Sequence, residues 1–207
     1  MKTAILDRAA FDAAIPRLAE ILVDAVDAGA GVSFMAPLAR KTAEDFWRGI
    51  DPVANKVFTA EVEGIVAGTV MLMPAWAPNQ PHRCDVAKLL VHRDFRRQGI
   101  GTMLMNALEV EAYRLGLSLI VFDAVGHGSV ETFYRNLGFT CIGHIPGYAY
   151  SGRGQLDDTA FFFKQLPRQP SGLRHFQKQL PQLAGHGAGL AAADALAVDL
   201  HDGENKV

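Results

Sequence analysis

The stretch Leu89–Leu108 constrains this chain more than any other. An apolar run, Leu89-Leu90-Val91, leads into a basic, glycine-containing turn, Arg96-Arg97-Gln98-Gly99-Ile100-Gly101. That turn opens a long helix, predicted over Gly99–Leu115, whose apolar residues recur at helical spacing. Strand, basic turn and helix in this order make a seat for an anion. The first helical turn leaves backbone N–H groups without partners, and the helix dipole adds partial positive charge there. Gly99 and Gly101 let a phosphate approach the backbone, and Arg96 and Arg97 add charge beside it. The backbone amides of Arg97–Thr102 are therefore the predicted contacts. Two familiar phosphate loops are excluded. No Gly-Lys-Ser/Thr follows the turn, and Leu104 stands where a dinucleotide fingerprint needs its third glycine.

The rest of the chain narrows the class of protein. Its 207 residues suffice for one sizeable domain, and its net charge of −2 gives no reason to expect nucleic acid or an anionic membrane as partner. Cys84 and Cys141 are too few for a disulfide framework and are read as buried small residues in a reducing compartment. Neither a signal peptide nor a membrane-spanning run is legible, so the cytoplasm is the expected location.

Elements follow from periodicity and punctuation. Thr3–Leu6 reads as a short strand. The next helix has Asp12 as its N-cap, Pro16 in an early turn and Gly29 at its end. Lys41–Ile50 reads as a second helix. Val57–Val62 and Ile65–Leu72 form a hairpin about Glu63-Gly64. Asp85–Val91 and Leu119–Ala124 read as buried strands, and Val130–Leu137 as a helix that Ser129 caps and Gly138 closes. Thr140–Ile145 and Asp158–Lys164 are the last strands, joined by a loop at Pro146-Gly147-Tyr148. Strands alternating with helices in the middle predict a parallel βαβ core flanked by antiparallel hairpins. The domain is expected over residues 1–166. Residues 167–207, rich in Ala, Gly and Gln, form an appendage in which Gly189–Leu200 could be helical.

A second motif joins the first. Phe133-Tyr134-Arg135-Asn136-Leu137-Gly138-Phe139 follows the strand Leu119–Ala124. A Q/R-x-x-G-x-G/A turn, met here by Arg96, Gly99 and Gly101, followed later by a helix with a tyrosine near a terminal Gly-Phe, resembles the GNAT acetyltransferase superfamily over about residues 57–164. Gly29–Ala36, Asp85–Val91, Ala124–Tyr134 and Pro146-Gly147-Tyr148 are further similar to tabtoxin-resistance acetyltransferases within that superfamily. The resemblance implies a three-layer α/β sandwich. Its mixed sheet has about six or seven strands, with splayed central parallel strands and helices on both faces. It also implies acetyl-CoA as acyl donor, its pantetheine pairing with the strand Leu89-Leu90-Val91 like an added strand. Tyr134 then resembles the proton donor to the leaving thiolate. Two positions depart from the superfamily pattern, His127 where Asn is common and Val130 where Ala is common.

Acetyl transfer to an amine needs the amine deprotonated, since a free alkylamine has a pKa near ~10, and a backbone N–H for the oxyanion. Asp85 and Asp123 lie on the two central strands, where aspartate is disfavoured, and are the candidate bases or amine anchors. Each is equally readable as a turn or capping residue. Phe34, Met35 and Tyr148 lie in loops expected to cover the acceptor, and packing is the competing role for them. Lys88 and Arg83 read as solvated strand charges. His82, His92 and His144 have no ligand spacing, so no metal is assigned. The expected reaction moves an acetyl group from acetyl-CoA to a primary amine of a small, amino-acid-like or toxin-like molecule. Protein or peptide acetylation and a non-catalytic CoA-binding module are the alternatives. Homodimerisation is left open.

Overall fold

The computed structural model describes residues 1–125 and 128–167. His127 and the appendage beyond Pro167, with the helix expected at Gly189–Leu200, lie outside the described residues. The described chain orders as β1 (Lys2–Ile5), α1 (Arg8–Asp27), α2 (Arg40–Arg48), β2 (Lys56–Val62), β3 (Ile65–Pro74), β4 (Arg83–Val91), α3 (Ile100–Arg114), β5 (Leu119–Val125), α4 (Ser129–Asn136), β6 (Thr140–Tyr150) and β7 (Leu156–Gln165). The seven strands form one sheet in the order β1-β2-β3-β4-β5-β7-β6. Every adjacent pair is antiparallel except the central β4–β5 pair.

Two apolar cores sandwich this sheet. α1 and α2 bury Phe11, Leu18, Leu22 and Trp47 against Val57, Met71 and Leu90. α3 and α4 bury Leu104, Leu108 and Tyr134 against Phe58, Val70, Ile120 and Phe162. Alternation along each strand sends successive residues to opposite layers, so central strands covered on both sides are nearly continuously apolar. The three-layer sandwich expected from the sequence is the observed one. Among the described residues no helix is long and apolar enough to cross a membrane.

Several boundaries differ from expectation. Asp7, not Asp12, caps α1, accepting from the backbone N–H of Ala10 at 2.8 Å. Pro16 therefore lies inside the helix, where burial of the stripe that includes Ile15, Leu18 and Leu22 offsets the lost backbone bond. Gly128 at φ +67° takes the N-cap position of α4, and Ser129 is already helical. β6 does not stop at Ile145. It absorbs Pro146-Gly147 as a register shift and continues to Tyr150 against β7. The β2–β3 hairpin turns as expected on Glu63 and Gly64, both at positive φ.

Candidate active site

β4 and β5 run parallel but pair only at their beginnings, Arg83 with Leu119, Cys84 with Ile120 and Asp85 with Val121. Beyond these pairs the strands part. β4 remains bonded to β3, and β5 to β7, so the facing edges of Val86–Val91 and Phe122–Val125 border a wedge-shaped gap. A bulge sharpens the opening. Thr69 pairs with Leu90 and Met71 with Ala87, leaving Lys88 and Leu89 opposite a single β3 residue, with Lys88 at φ +53°.

The basic turn lies at the head of this gap. Arg97 and Gly99 adopt positive φ, and α3 starts at Ile100 with no side-chain cap on Gly99. The first helical N–H bonded back within the turn is that of Met103, to the Gly99 carbonyl at 3.0 Å. The N–H groups ahead of it are the orphan donors an anion can use. A side chain at Gly99 would meet open space, whereas one at Gly101 would meet the ring of Phe133 at 3.3 Å. Gly101 thus serves the packing of α4 on α3 as well as access to the helix end. Arg96 does not stand beside the seat as a spare charge. Its guanidinium donates to the Val91 carbonyl at 2.9 Å and to Asp24 at 3.1 Å, and Arg93 donates to Asp24 too. Burial alone would raise the Asp24 pKa, but the hydrogen bonds from Arg93 win and hold it below the usual value. Asp24, buried on α1, ties the turn to the opposite layer. The sequence signal was available: an aspartate inside the apolar run Ile21–Val26 needs a cationic partner.

Asp85 and Asp123 meet on one face at the narrow end of the gap. Asp85 is in register with Val121, and Asp123 lies two residues on, so both carboxylates point toward the α1–α2 layer. Simple alternation puts Asp85 and Leu89 on the same side. The bulge at Lys88 reverses this: Leu89 packs into the α3–α4 core while Asp85 faces the other way. Burial raises both carboxyl pKa values. Arg83, 3.2 Å from Asp85, opposes the rise there and the charge of Asp123 adds to it. At Asp123 a backbone hydrogen bond and the Lys88 charge oppose it. Lys88 is no solvated strand charge. Its ammonium donates to the Val32 carbonyl at 3.0 Å and lies 5.7 and 5.2 Å from the ring centres of Phe34 and Phe46. Burial lowers its pKa to about 8, against the pull of Asp123.

Tyr134 approaches the gap from the other face. It is held in an aromatic cluster, its ring centre 4.5 Å from Phe122, 5.0 Å from Phe133 and 5.0 Å from Phe162. Burial, with a further contribution from Asp123, raises its pKa, so the phenol keeps its proton. The gap therefore has a proton-bearing phenol on one side and two carboxylates with an ammonium on the other.

Residues 24–139, more than half of the chain, match the model of the Acetyltransferase (GNAT) family. The chain belongs to this family. An uncharacterized N-acetyltransferase in the hisH-hisA intergenic region of Azospirillum brasilense is 31% identical over 103 residues, 48% of this chain and 61% of that protein. The chain thus spans less than two thirds of that relative. Two solved structures share the fold. A phosphinothricin acetyltransferase of Sinorhizobium meliloti in complex with AcCoA is 21% identical, covers 83% of this chain and 92% of its own, and has a TM-score of 0.69. A ribosomal-protein-alanine N-acetyltransferase of Brucella melitensis is 21% identical, covers 80% and 100%, and has a TM-score of 0.68. One fold thus carries proteins named for quite different acceptors.

Within this GNAT chain the residues expected to meet an acceptor are only partly gathered. Phe34 lies against Lys88 and packs edge-on to Phe46 at 5.4 Å. Tyr148, on strand β6 rather than in a loop, packs edge-on to Phe161 at 5.4 Å, and Phe161 is the β7 partner of Asp123. Met35 is half exposed, next to Gly154 in the β6–β7 turn. That turn is tied to the α1–α2 loop by the Ala36 N–H on the Gly152 carbonyl at 2.7 Å. The α1–α2 loop also reaches the end of β5, where a side chain at Gly31 would run into Val125. Arg83 and Lys88, read as solvated, are the residues that sequence reasoning missed. Nothing in a strand pattern announces a bulge that turns a lysine into a layer of aromatic rings. Cys84 is buried as expected, which pushes its thiol up to about 12, while Cys141 is only half-buried.

Proposed function

We propose that the chain transfers an acetyl group from acetyl-CoA to a primary amine of a small molecule, both substrates being bound together. The observation that carries this reading is the parted β4–β5 edge, with an uncapped helix end at its head and opposite chemistry on its two faces. Acetyl-CoA supplies the activated acetyl thioester. The amides of Arg97–Thr102 hold its pyrophosphate, and the β4 edge at Leu89, Leu90 and Val91 takes its pantetheine as an added strand. Tyr134 presents its hydroxyl proton to the leaving sulfur. Asp123, with Asp85 behind it, attracts a cationic amine and takes its proton directly or through water. Phe34, Met35 and Tyr148 frame the acceptor. The small-molecule acceptor agrees with the likeness of Gly29–Ala36 and Pro146-Gly147-Tyr148 to tabtoxin-resistance enzymes, and with the bond that ties the α1–α2 loop to the β6–β7 turn. A free-CoA release assay over a panel of amino acids, small amines and peptides tests it. Turnover with peptides alone would replace the small-molecule reading, and no turnover with CoA still bound would leave a binding module.

Two outcomes follow for variants. Asp123→Asn should lower kcat/KM by about tenfold to a hundredfold, less than the 10²–10⁴ of a sole base, because Asp85 remains. The sign of the pH effect follows from the raised carboxyl pKa. The base form exists only above that pKa, so kcat/KM climbs with pH through a limb above the ordinary carboxylate value near ~3.9. Asn should erase that limb and leave only the rise from the amine itself. A wild-type pH–rate profile in the variant would remove Asp123 from the mechanism. The second outcome concerns the domain boundary, proposed at residue 166. Leu166 is buried in the α3–α4 core and its N–H bonds the Ser118 carbonyl at 2.9 Å. Truncation after Leu166 should leave CoA affinity within about twofold by calorimetry, since Leu166 is the last buried residue among those described. An unfolded truncated chain would move the boundary outward.

A further inference from the structure

Outside the gap, three side chains that acyl transfer does not use come together. Glu131 in the first turn of α4, with Cys141 and His144 on β6, bring a carboxylate oxygen, a sulfur and an imidazole nitrogen within 4.8 Å of one another. In a regular strand, residues three apart point to opposite faces. Here the β6 register slips between Cys141 and Gly143. Cys141 then pairs with Phe162 and His144 with Ala160, β7 residues two apart that both pack in the α3–α4 core. The bulge thus turns Cys141 and His144 onto the same face, the one that α4 covers.

We propose that Glu131, Cys141 and His144 form a binding site for a borderline-soft divalent cation, best fitted by zinc, which ties the first turn of α4 to β6. One oxygen, one nitrogen and one sulfur donor suit zinc and are wrong for magnesium or calcium, which take oxygen. Zinc bonds of 2.0–2.3 Å in tetrahedral geometry set donor atoms about 3.3–3.8 Å apart. The Nε2 of His144 is already 3.3 Å from the Oε2 of Glu131. Small side-chain rotations from the observed spacing would complete the set. The Glu131 carboxylate is oriented from its other oxygen, Oε1, which accepts from the Nε of Arg135 at 2.7 Å. That is the outer contact a ligating carboxylate commonly has. His144 is solvent-exposed, which provides an entry path and room for water as a fourth ligand. Binding releases the thiol proton of Cys141, so the sulfur ligates as thiolate. Tyr134 follows Glu131 by one helical turn, so the ion would brace the helix that carries it.

The test uses the full-length chain without an affinity tag, stripped with a chelator and then titrated with zinc against a chromophoric competitor, and separately with cobalt(II). One zinc per chain and a cobalt thiolate charge-transfer band are expected. Cys141→Ser should abolish the band. His144→Ala should weaken zinc binding by more than the about 10–100-fold typical of losing an outer-shell partner. The sequence beyond Pro167 also carries His175, His186 and His201. Unchanged stoichiometric binding in the Cys141→Ser/His144→Ala double variant would locate the ion elsewhere and overturn the site. So would a wild-type chain that binds no zinc, or a cobalt complex with no thiolate band, neither of which depends on a variant folding correctly.

Discussion

Tyr134→Phe should lower kcat by about 10²-fold or more while KM for both substrates changes little, because the hydroxyl acts on the leaving sulfur and not on ground-state binding. Phenylalanine keeps the ring packed against Phe122, Phe133 and Phe162, so the variant should remain folded. The size of the loss follows from acidity. Burial raises the Tyr134 pKa well above the ~8.5 of a thiol, so complete transfer of its proton to a thiolate is uphill. The phenol then contributes chiefly a hydrogen bond that strengthens as charge develops on sulfur, which argues for the lower end of the usual 10²–10⁴ range. Steady-state kinetics with saturating acetyl-CoA checks it. Near-normal kcat would make the tyrosine a packing residue and leave solvent to protonate the thiolate.

Gly101→Glu should weaken CoA binding by at least about 100-fold. Two like charges 4 Å apart repel by about 4 kcal/mol at an effective dielectric of 20, and partial solvation of the helix end discounts part of that. The ring of Phe133 lies 3.3 Å from where a Cβ would stand, so the substitution also presses on α4. Gly101→Ala separates the two effects. It meets the same ring without a carboxylate and should bind CoA within severalfold of wild type. Calorimetry on the pair decides: equal losses in Ala and Glu would make Gly101 a packing glycine, and no loss in Glu would move the pyrophosphate away from this turn.

The contrast between Arg96 and Lys88 shows how far the candidate site was legible. The turn Arg96–Gly101 and its helix are local: glycines at an uncapped N-terminus leave backbone N–H groups without partners, and α3 starts beside Gly99 as the sequence predicts. What the arginine does there was not local. Arg96 spends its guanidinium on Asp24 and on the Val91 carbonyl, a contact spanning 72 residues of sequence to the helix in the other layer. Lys88 reads as a solvated strand charge because nothing local marks the bulge that turns it toward Phe34 and Phe46. The simple alternation that would set Asp85 and Leu89 on one side breaks at the same bulge.

By itself the sequence determined which segments become strands and helices, the strand–turn–helix order about Arg96–Gly101, the second motif that ends at Gly138-Phe139, and the three-layer class of the fold. These are set by side-chain periodicity, by glycine at positive φ and by unpartnered helix-end amides, all of which act over a few residues. Only the tertiary structure decided where β4 and β5 part, that Asp85 and Asp123 share a face, that Lys88 turns in among Phe34 and Phe46, and that Cys141 and His144 face α4 together. Each of these depends on the register between strands. A single bulge of one residue reverses every side chain beyond it, and whether a bulge forms is settled by packing against the neighbouring strand and layer, not by the strand's own residues.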